Sequence, residues 1–403
     1  MDSVYRNILI RMIIMENDII DMTNYLDENL DAMLDLYRNL VEIESPSSDR
    51  SRVEEVASYL DKYLGALGLE NEIFHFDEAG PTLYSQTEGK RKLGDIAIIG
   101  HMDTVHPIGA FGENPFKVQN GKVSGPGVYD MKGGLVIAIF ALKALMHVGY
   151  SKRRIKLIFS GDEEVAHLYS KGEGGRLFET LCKGSSACFN CESGNRNKIV
   201  LERKGGAIFS IKVHGKAAHA GKEPEKGASA IYQAARMIVE IESRSDKDRV
   251  LYNCGTIKGG SGANVIPSEA EFSVGIRYNT NKQYEEAEEF LKGLCNDTFV
   301  KGTSSEIERI GFYPSLEKSS KSQKLFEEYR KASLKILNED VEAIKVGGCS
   351  DSAFSSLVGV PTLCSCGVYG SGAHTLDEEA DVESLFTQCK ILATTIYLLA
   401  DEF

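Results

Sequence analysis

The sequence predicts a mostly parallel α/β sheet flanked by helices, into which a smaller α+β domain is inserted. Three observations lead there. At 403 residues the chain exceeds the size at which a single hydrophobic core stops growing, so two domains are expected. Apolar strand-like runs alternate with helical patterns over residues 22–203 and again over 313–403, as in parallel strands joined by covering helices. Between them, residues 204–312 read as strand, helix, strand, strand, helix, strand, the order of a ferredoxin-like sandwich.

In chain order, residues 1–21 precede the first patterned helix and read as an N-terminal extension, with Met15 and Met22 as alternative starts. The apolar run from Ile8 to Met15 is too short to span a membrane and is broken by Arg11, and Asp2 weakens the basic region of a secretion signal. From Leu26 to Ile43 apolar residues recur at helical spacing (Leu30, Met33, Tyr37, Leu40) until Ser45-Pro46 breaks the pattern. A second helix, Arg52 to Leu67, stops at Gly68. Strands are expected over Glu72–Phe76, Thr82–Gln86, Ile96–Gly100, Arg154–Ser160 and Ala187–Cys191, with a helix from Leu135 to Leu145. The inserted part should hold strands over Ala207–Val213, Val250–Ile257, Glu269–Tyr278 and Ser305–Ile310, with helices over Gly227–Ile241 and Tyr284–Cys295. The chain then returns to its first texture. Helix Ser322–Leu337, strands Val341–Val346 and Pro361–Gly367, and a terminal helix from Val382 to Leu399 complete it.

With 42% hydrophobic and 26% charged residues the composition is that of an ordinary globular protein. The net charge of -13 and scattered lysines and arginines disfavour nucleic acids and anionic membranes as partners, since both need a basic surface. Small-molecule or peptide chemistry is the better expectation. Nine irregularly spaced cysteines in so large a chain point to reduced thiols and a cytoplasmic location. Cys188-x-x-Cys191 and Cys364-x-Cys366 are better explained as buried strand-end thiols than as a four-thiolate zinc site.

The chemistry gathers at strand ends. The run Ile96 to Gly100 delivers His101 and, two positions on, Asp103, so the aspartate can accept the spare ring N–H of a metal-bound histidine. Asp130 sits in the glycine-rich segment Gly125 to Gly134, directly before a helix. Glu163 and Glu164 follow the Arg154–Ser160 strand and point in different directions, so one can bind a metal while the other works as a base. Glu192 ends a third strand, and His374 lies in the loop Tyr369 to Glu379. Taken singly, Asp130 is an ordinary cap, the acidic triplet a solvated loop and His374 a plain loop histidine. Together they are two imidazoles and three carboxylates of one site, with Glu163 beside it. Such mixed ligation suits zinc, with cobalt or manganese as substitutes. If Asp130 is shared between two ions, five ligands suffice for two metals.

The blocks Gly100-His-Met-Asp-Thr-Val105, Gly127-Val-Tyr-Asp-Met-Lys-Gly-Gly134, Gly161-Asp-Glu-Glu164, Cys191-Glu-Ser193, His219-Ala-Gly221, Asn264-Val-Ile-Pro267 and Gly372-Ala-His-Thr375 resemble the M20 family of metallopeptidases. Their order and content are most similar to its glutamate carboxypeptidase (carboxypeptidase G2-like) branch. The resemblance runs from about Leu30 to the C-terminus and implies a zinc-exopeptidase-type sheet with an inserted dimerisation or lid domain. It implies one zinc held by His101, Asp130 and Glu192, another by Asp130, Glu164 and His374, and a metal-bound hydroxide as nucleophile. It further implies that Asp103 orients His101 and that Glu163 is the general base. His219 would act across a homodimer on the oxyanion, and Asn264 and Arg277 would bind substrate. Here Gly275-Ile276 precedes Arg277 where relatives commonly carry an acidic residue and Val. A guanidinium fork suits the free carboxylate that a carboxypeptidase must recognise.

The same metals cut any suitable amide, so an N-acyl amino-acid deacylase of the acetylornithine or succinyl-diaminopimelate type is the second expectation. A non-catalytic scaffold is the third, and it would have been expected to lose Glu163 or a ligand. Nucleotide binding at Gly125-Pro-Gly127 or Gly259-Gly-Ser-Gly262 fails, because neither has the strand-turn-helix context with an acidic partner.

Overall fold

A computed structural model describes residues 2–89 and 93–399, with side chains from Met12 onward. It contains two compact units. The described residues of Met1–Leu201, Lys318–Lys345 and Ser350–Phe403 make the first, and Glu202–Glu317 with Val346–Cys349 the second. The second is wider than residues 204–312 because Arg203 pairs its main chain with Leu316, and the Lys204 N–H donates to the Val346 carbonyl at 3.3 Å.

The helices are α1 (Asp2–Glu28), α2 (Leu30–Glu42), α3 (Arg50–Ala66), α4 (Gly133–His147), α5 (Glu173–Cys182), α6 (Ala230–Ser243), α7 (Asn281–Asn296), α8 (Ser320–Leu337), α9 (Ser352–Leu357) and α10 (Val382–Leu398). The strands of the two main sheets are β1 (Glu70–Phe74), β2 (Gly80–Gln86), β3 (Asp95–His101), β4 (Ile155–Gly161), β5 (Ser185–Asn190), β6 (Gly205–His214), β7 (Val250–Gly259), β8 (Glu269–Tyr278), β9 (Ser304–Tyr313) and β10 (Thr362–Leu363).

Sequence and structure differ at several element boundaries. The helix expected from Leu26 to Ile43 is broken at Asn29, whose side-chain amide donates to the Tyr25 carbonyl at 2.7 Å in competition with the helical ladder. Nor does the first helix wait for Asp21. Ile19, Met22 and Leu26 are buried, and Glu16 pairs with Lys335 at 2.6 Å. The side chains of Ile8 to Arg11, half of the apolar run, lie outside the described residues. No described helix is long and apolar enough to cross a membrane. The strand expected over Pro361–Gly367 shrinks to β10, since Ser365 has a φ of +65° and cannot continue an extended chain. Helices α5 and α9 were not expected: one is flanked by glycines and the other has only six residues.

The first unit's sheet has the order β1-β2-β4-β3-β5-β10. Strands β4, β3, β5 and β10 are parallel, and the β1–β2 hairpin continues antiparallel along one edge. β3 and β4 are buried along their whole length, as sheets covered on both faces require. Helix α4 is buried from Gly133 to Leu142 and packs against α10 and α1. Each large side chain it buries, such as Leu135 or Phe140, contributes about 1.5–3 kcal/mol. The helix can sit so close because Gly134 has no side chain: a Cβ there would lie 1.9 Å from the Cys191 carbonyl oxygen. Gly134→Ala is therefore expected to lower stability by about 1–3 kcal/mol, read as a shift in the denaturation midpoint. An unshifted midpoint would mean that the helix moves away at no cost.

In the second unit the sheet order is β7-β8-β6-β9, with every neighbouring pair antiparallel. With α6 and α7 between the strands in sequence, this is the ferredoxin-like order. β8 alternates cleanly. Ala270, Phe272, Val274, Ile276 and Tyr278 join a separate core with Met237 and Leu291, which leaves Arg277 on the opposite, exposed side.

Candidate metal centre

Three adjacent parallel strands, β4, β3 and β5, end on the same edge of the first sheet. Their carboxyl ends carry Glu163 and Glu164, His101, and Glu192, where ligand sites of open α/β sheets form. Asp130 enters from the turn Val128–Lys132, just before α4. That turn opens at Gly127 with a φ of +71°, and a Cβ there would meet Thr104 Cγ2 at 2.5 Å, so only glycine fits. The Asp130–Met131 peptide is cis. His374 comes from the loop before α10.

His101 Nε2 lies 3.2 Å from Asp130 Oδ1, 3.9 Å from Glu192 Oε1 and 4.0 Å from Glu163 Oε2. His374 Nε2 lies 3.1 Å from Glu164 Oε2 and 3.6 Å from Asp130 Oδ2. Two sets of side chains, His101 with Asp130 and Glu164, and His101 with Glu163 and Glu192, bring ligand atoms within 4.8 Å of one another. Among the described residues no such set contains a cysteine, and all nine thiols are free.

Asp103 does more than the sequence suggested. Nδ1 of His101 donates to the Asp103 main-chain carbonyl at 2.9 Å, with the Asp103 carboxylate farther off at 3.4 Å. The carboxylate itself accepts the Ser47 hydroxyl (2.7 Å) and the N–H groups of Glu163 (3.2 Å) and Glu164 (3.1 Å). One buried aspartate thus fixes the imidazole and the glutamate loop together.

So many carboxylates at one place reshape each group's titration. Burial pushes the Glu163 and Glu164 carboxyls up, helped by their acidic neighbours and opposed by the imidazoles. Burial would lower His101, but the aspartates and glutamates facing it win and hold it well above an ordinary imidazole. His374 is raised to about 10 by the Asp130 and Glu164 carboxylates that face it. Asp130 is held below the usual carboxylate range: burial opposes ionisation, yet the facing imidazoles of His101 and His374 outweigh it. The concentrated negative charge calls for cations. A buried Glu164 Oε1 without a hydrogen-bond partner among the described residues supplies a ready ligand atom. Two imidazoles with carboxylates are a donor set that divalent zinc, cobalt or manganese accepts, so the residues fit a metal.

The other three residues singled out in the sequence belong to the second unit. His219 pairs with Val265 in a short ladder, and beside it the Ala220 N–H donates to the Asn264 carbonyl at 3.0 Å. Arg277 Nη1 rests against Cys349 Sγ at 3.0 Å. Sequence reasoning missed Ser47, His106 and Glu378. Ser47 sits in what reads as a helix-breaking serine run and Glu378 in an acidic run, and neither spacing distinguishes them from solvated residues.

Imidazoles and carboxylates converging on the carboxyl ends of parallel strands are the equipment of a metal-dependent hydrolase. The chain belongs to peptidase family M20/M25/M40, which matches residues 97–398. It is 26% identical over 356 residues to carboxypeptidase G2 of Pseudomonas sp. (strain RS-16), covering 85% of this chain and 83% of that protein. It is 24% identical over 418 residues to N-formyl-4-amino-5-aminomethyl-2-methylpyrimidine deformylase of Halalkalibacterium halodurans, covering 94% and 96% respectively. In structure it is similar to the M20 family metallo-carboxypeptidase Sso-CP2 of Sulfolobus solfataricus, with a TM-score of 0.69 at 17% identity over 91% of this chain and 98% of that one.

Proposed function

We propose that this metallopeptidase hydrolyses an amide bond next to a free C-terminal carboxylate, using two divalent cations. The observation that carries the proposal is Asp130, whose two carboxylate oxygens face two different histidines, one oxygen each. On this reading His101, Asp130 and Glu192 hold one cation, and Asp130, Glu164 and His374 the other. Zinc at these positions, with cobalt or manganese as substitutes, supplies an activated water at neutral pH and a Lewis acid for the scissile carbonyl. Glu163 takes the proton of the attacking water and passes it to the leaving amine, which must be protonated to depart. Asp103 keeps the His101 ring in the tautomer whose Nε2 is free to ligate.

On the second unit, Arg277 is the proposed clamp for the substrate carboxylate, Asn264 a further substrate contact and His219 a donor to the developing oxyanion. We extend the reading to a homodimer in which His219 serves the partner copy. Support for it is the apolar surface of this unit, with Leu251 and Ile257 exposed on the edge strand β7 and Val239 on α6.

The similarity to a deformylase favours a second reading, removal of an N-acyl group from an amine. Hydrolysis of a small panel separates the two. Peptides and N-acyl amino acids with a C-terminal Glu or Ala are expected to be cleaved, amidation of that carboxylate should abolish cleavage, and Arg277→Ala should raise KM. Cleavage confined to formylated, acetylated or succinylated amines, indifferent to the C-terminal carboxylate, would move the assignment to the deacylases.

A further inference from the structure

We propose that Glu378 is a positioning residue that sets Asp130 and ties it to His374. The inference rests on the reading of Asp130 as a ligand shared by two cations. Glu378 is 1% exposed and its carboxylate gathers four donors. Oε1 accepts the N–H groups of Tyr129 (2.8 Å) and Asp130 (2.9 Å). Oε2 accepts the Gly127 N–H (3.1 Å) and faces Nε2 of His106 at 2.7 Å, which must donate to it.

These amides need such an acceptor. The turn they belong to leaves helical geometry at Asp130 (φ -123°, ψ 93°) and Met131 (φ -137°, ψ 38°), and its Tyr129 and Asp130 N–H groups turn to Glu378. An anion facing several successive amides is a strong, directional arrangement. Fixing the Asp130 N–H and the amide before it fixes the direction of the Asp130 side chain.

The same carboxylate stands four positions after His374, so it joins the loop bearing one imidazole to the turn bearing the carboxylate that faces it. His106 binds it from a third segment, three residues past Asp103. Three loops that come from distant parts of the chain therefore meet on one buried charge. Glu379, the next residue, shows that this is not a general property of the acidic run: it is partly exposed and pairs with Lys122.

The test is metal affinity of the full chain, stripped by chelator and titrated with zinc against a chromophoric competitor. Glu378→Ala should bind zinc about 10–100-fold more weakly than wild type with an unchanged circular dichroism spectrum, and excess zinc should restore much of its turnover. Glu378→Gln should fall between the two, because an amide keeps the acceptor for Tyr129 and Asp130 but turns a donor toward the Gly127 N–H. If the alanine variant does not fold, the glutamine variant alone decides. Arg153→Leu is the control. Arg153 is equally buried, but donates to Ser186 Oγ (2.7 Å) and to the Leu93 carbonyl at the opposite ends of the strands, so its loss should cost stability and leave zinc affinity unchanged. Wild-type affinity in the folded Glu378 variants, or an equal loss in Arg153→Leu, overturns the inference. A wild-type chain that binds no zinc overturns the proposed function and this inference with it, whereas tight wild-type binding with unchanged Glu378 variants overturns the inference alone.

Discussion

Glu163→Gln is expected to lower kcat by about 10²–10⁴-fold while the bound metal stays in place, because the amide fills the same space and cannot carry the proton. The pH profile should identify the missing group. Burial raises the Glu163 carboxyl well above an ordinary glutamate, and the charges of Glu192, Asp351 and Glu164 add to it against the pull of His101. A base works only when ionised. Cations bound beside Glu163 would oppose that upward shift, so wild-type kcat/KM should increase with pH along an acid limb that requires ionised Glu163, and the glutamine variant should lose that limb together with its rate. Because these carboxylates titrate together, the limb belongs to the cluster rather than to one residue. A glutamine variant with near-normal turnover and an unchanged limb would place the base elsewhere.

The second large effect is expected at Asp130. Its Oδ1 is 3.2 Å from His101 Nε2 and its Oδ2 is 3.6 Å from His374 Nε2, so it faces both imidazoles. If it is shared, Asp130→Ala must weaken both metal positions, and activity should fall by more than the roughly 100-fold that changes behind the ligands can cost. His374→Ala, by contrast, should weaken one position and leave the other filled. Elemental analysis after gel filtration reads both variants. An alanine variant at Asp130 that keeps two ions per chain would remove the shared ligand from the scheme.

Much of the candidate site is legible because its residues stand at positions that chain geometry marks. His101, Glu163 with Glu164, and Glu192 each follow an apolar run that reads as a buried strand, and parallel strands bring such ends to one edge. The alternation in Glu269–Tyr278 likewise predicts which face of β8 is buried and leaves Arg277 outside. What escapes sequence reasoning is whatever depends on contacts between distant segments. The Asp103 carboxylate was expected to serve His101, yet it is chiefly engaged by Ser47 and the amides of Glu163 and Glu164, 56 to 61 positions away. Glu378 is 251 positions from Gly127 and 272 from His106, and local pattern carries no trace of such pairings. The helix boundary at Asn29 was missed for the opposite reason: one side chain there overrides an apolar pattern that continues through it.

On the proposed function an amide is cut at a two-cation centre formed where the carboxyl ends of β4, β3 and β5 meet Asp130 and His374. It is tested most directly by elemental analysis of the purified chain, before and after chelation, with hydrolysis of a peptide ending in glutamate measured on the same samples. The expected result is about two zinc ions per chain, loss of hydrolysis when they are removed and its return on adding zinc. Full activity in a chain stripped of metal would contradict it.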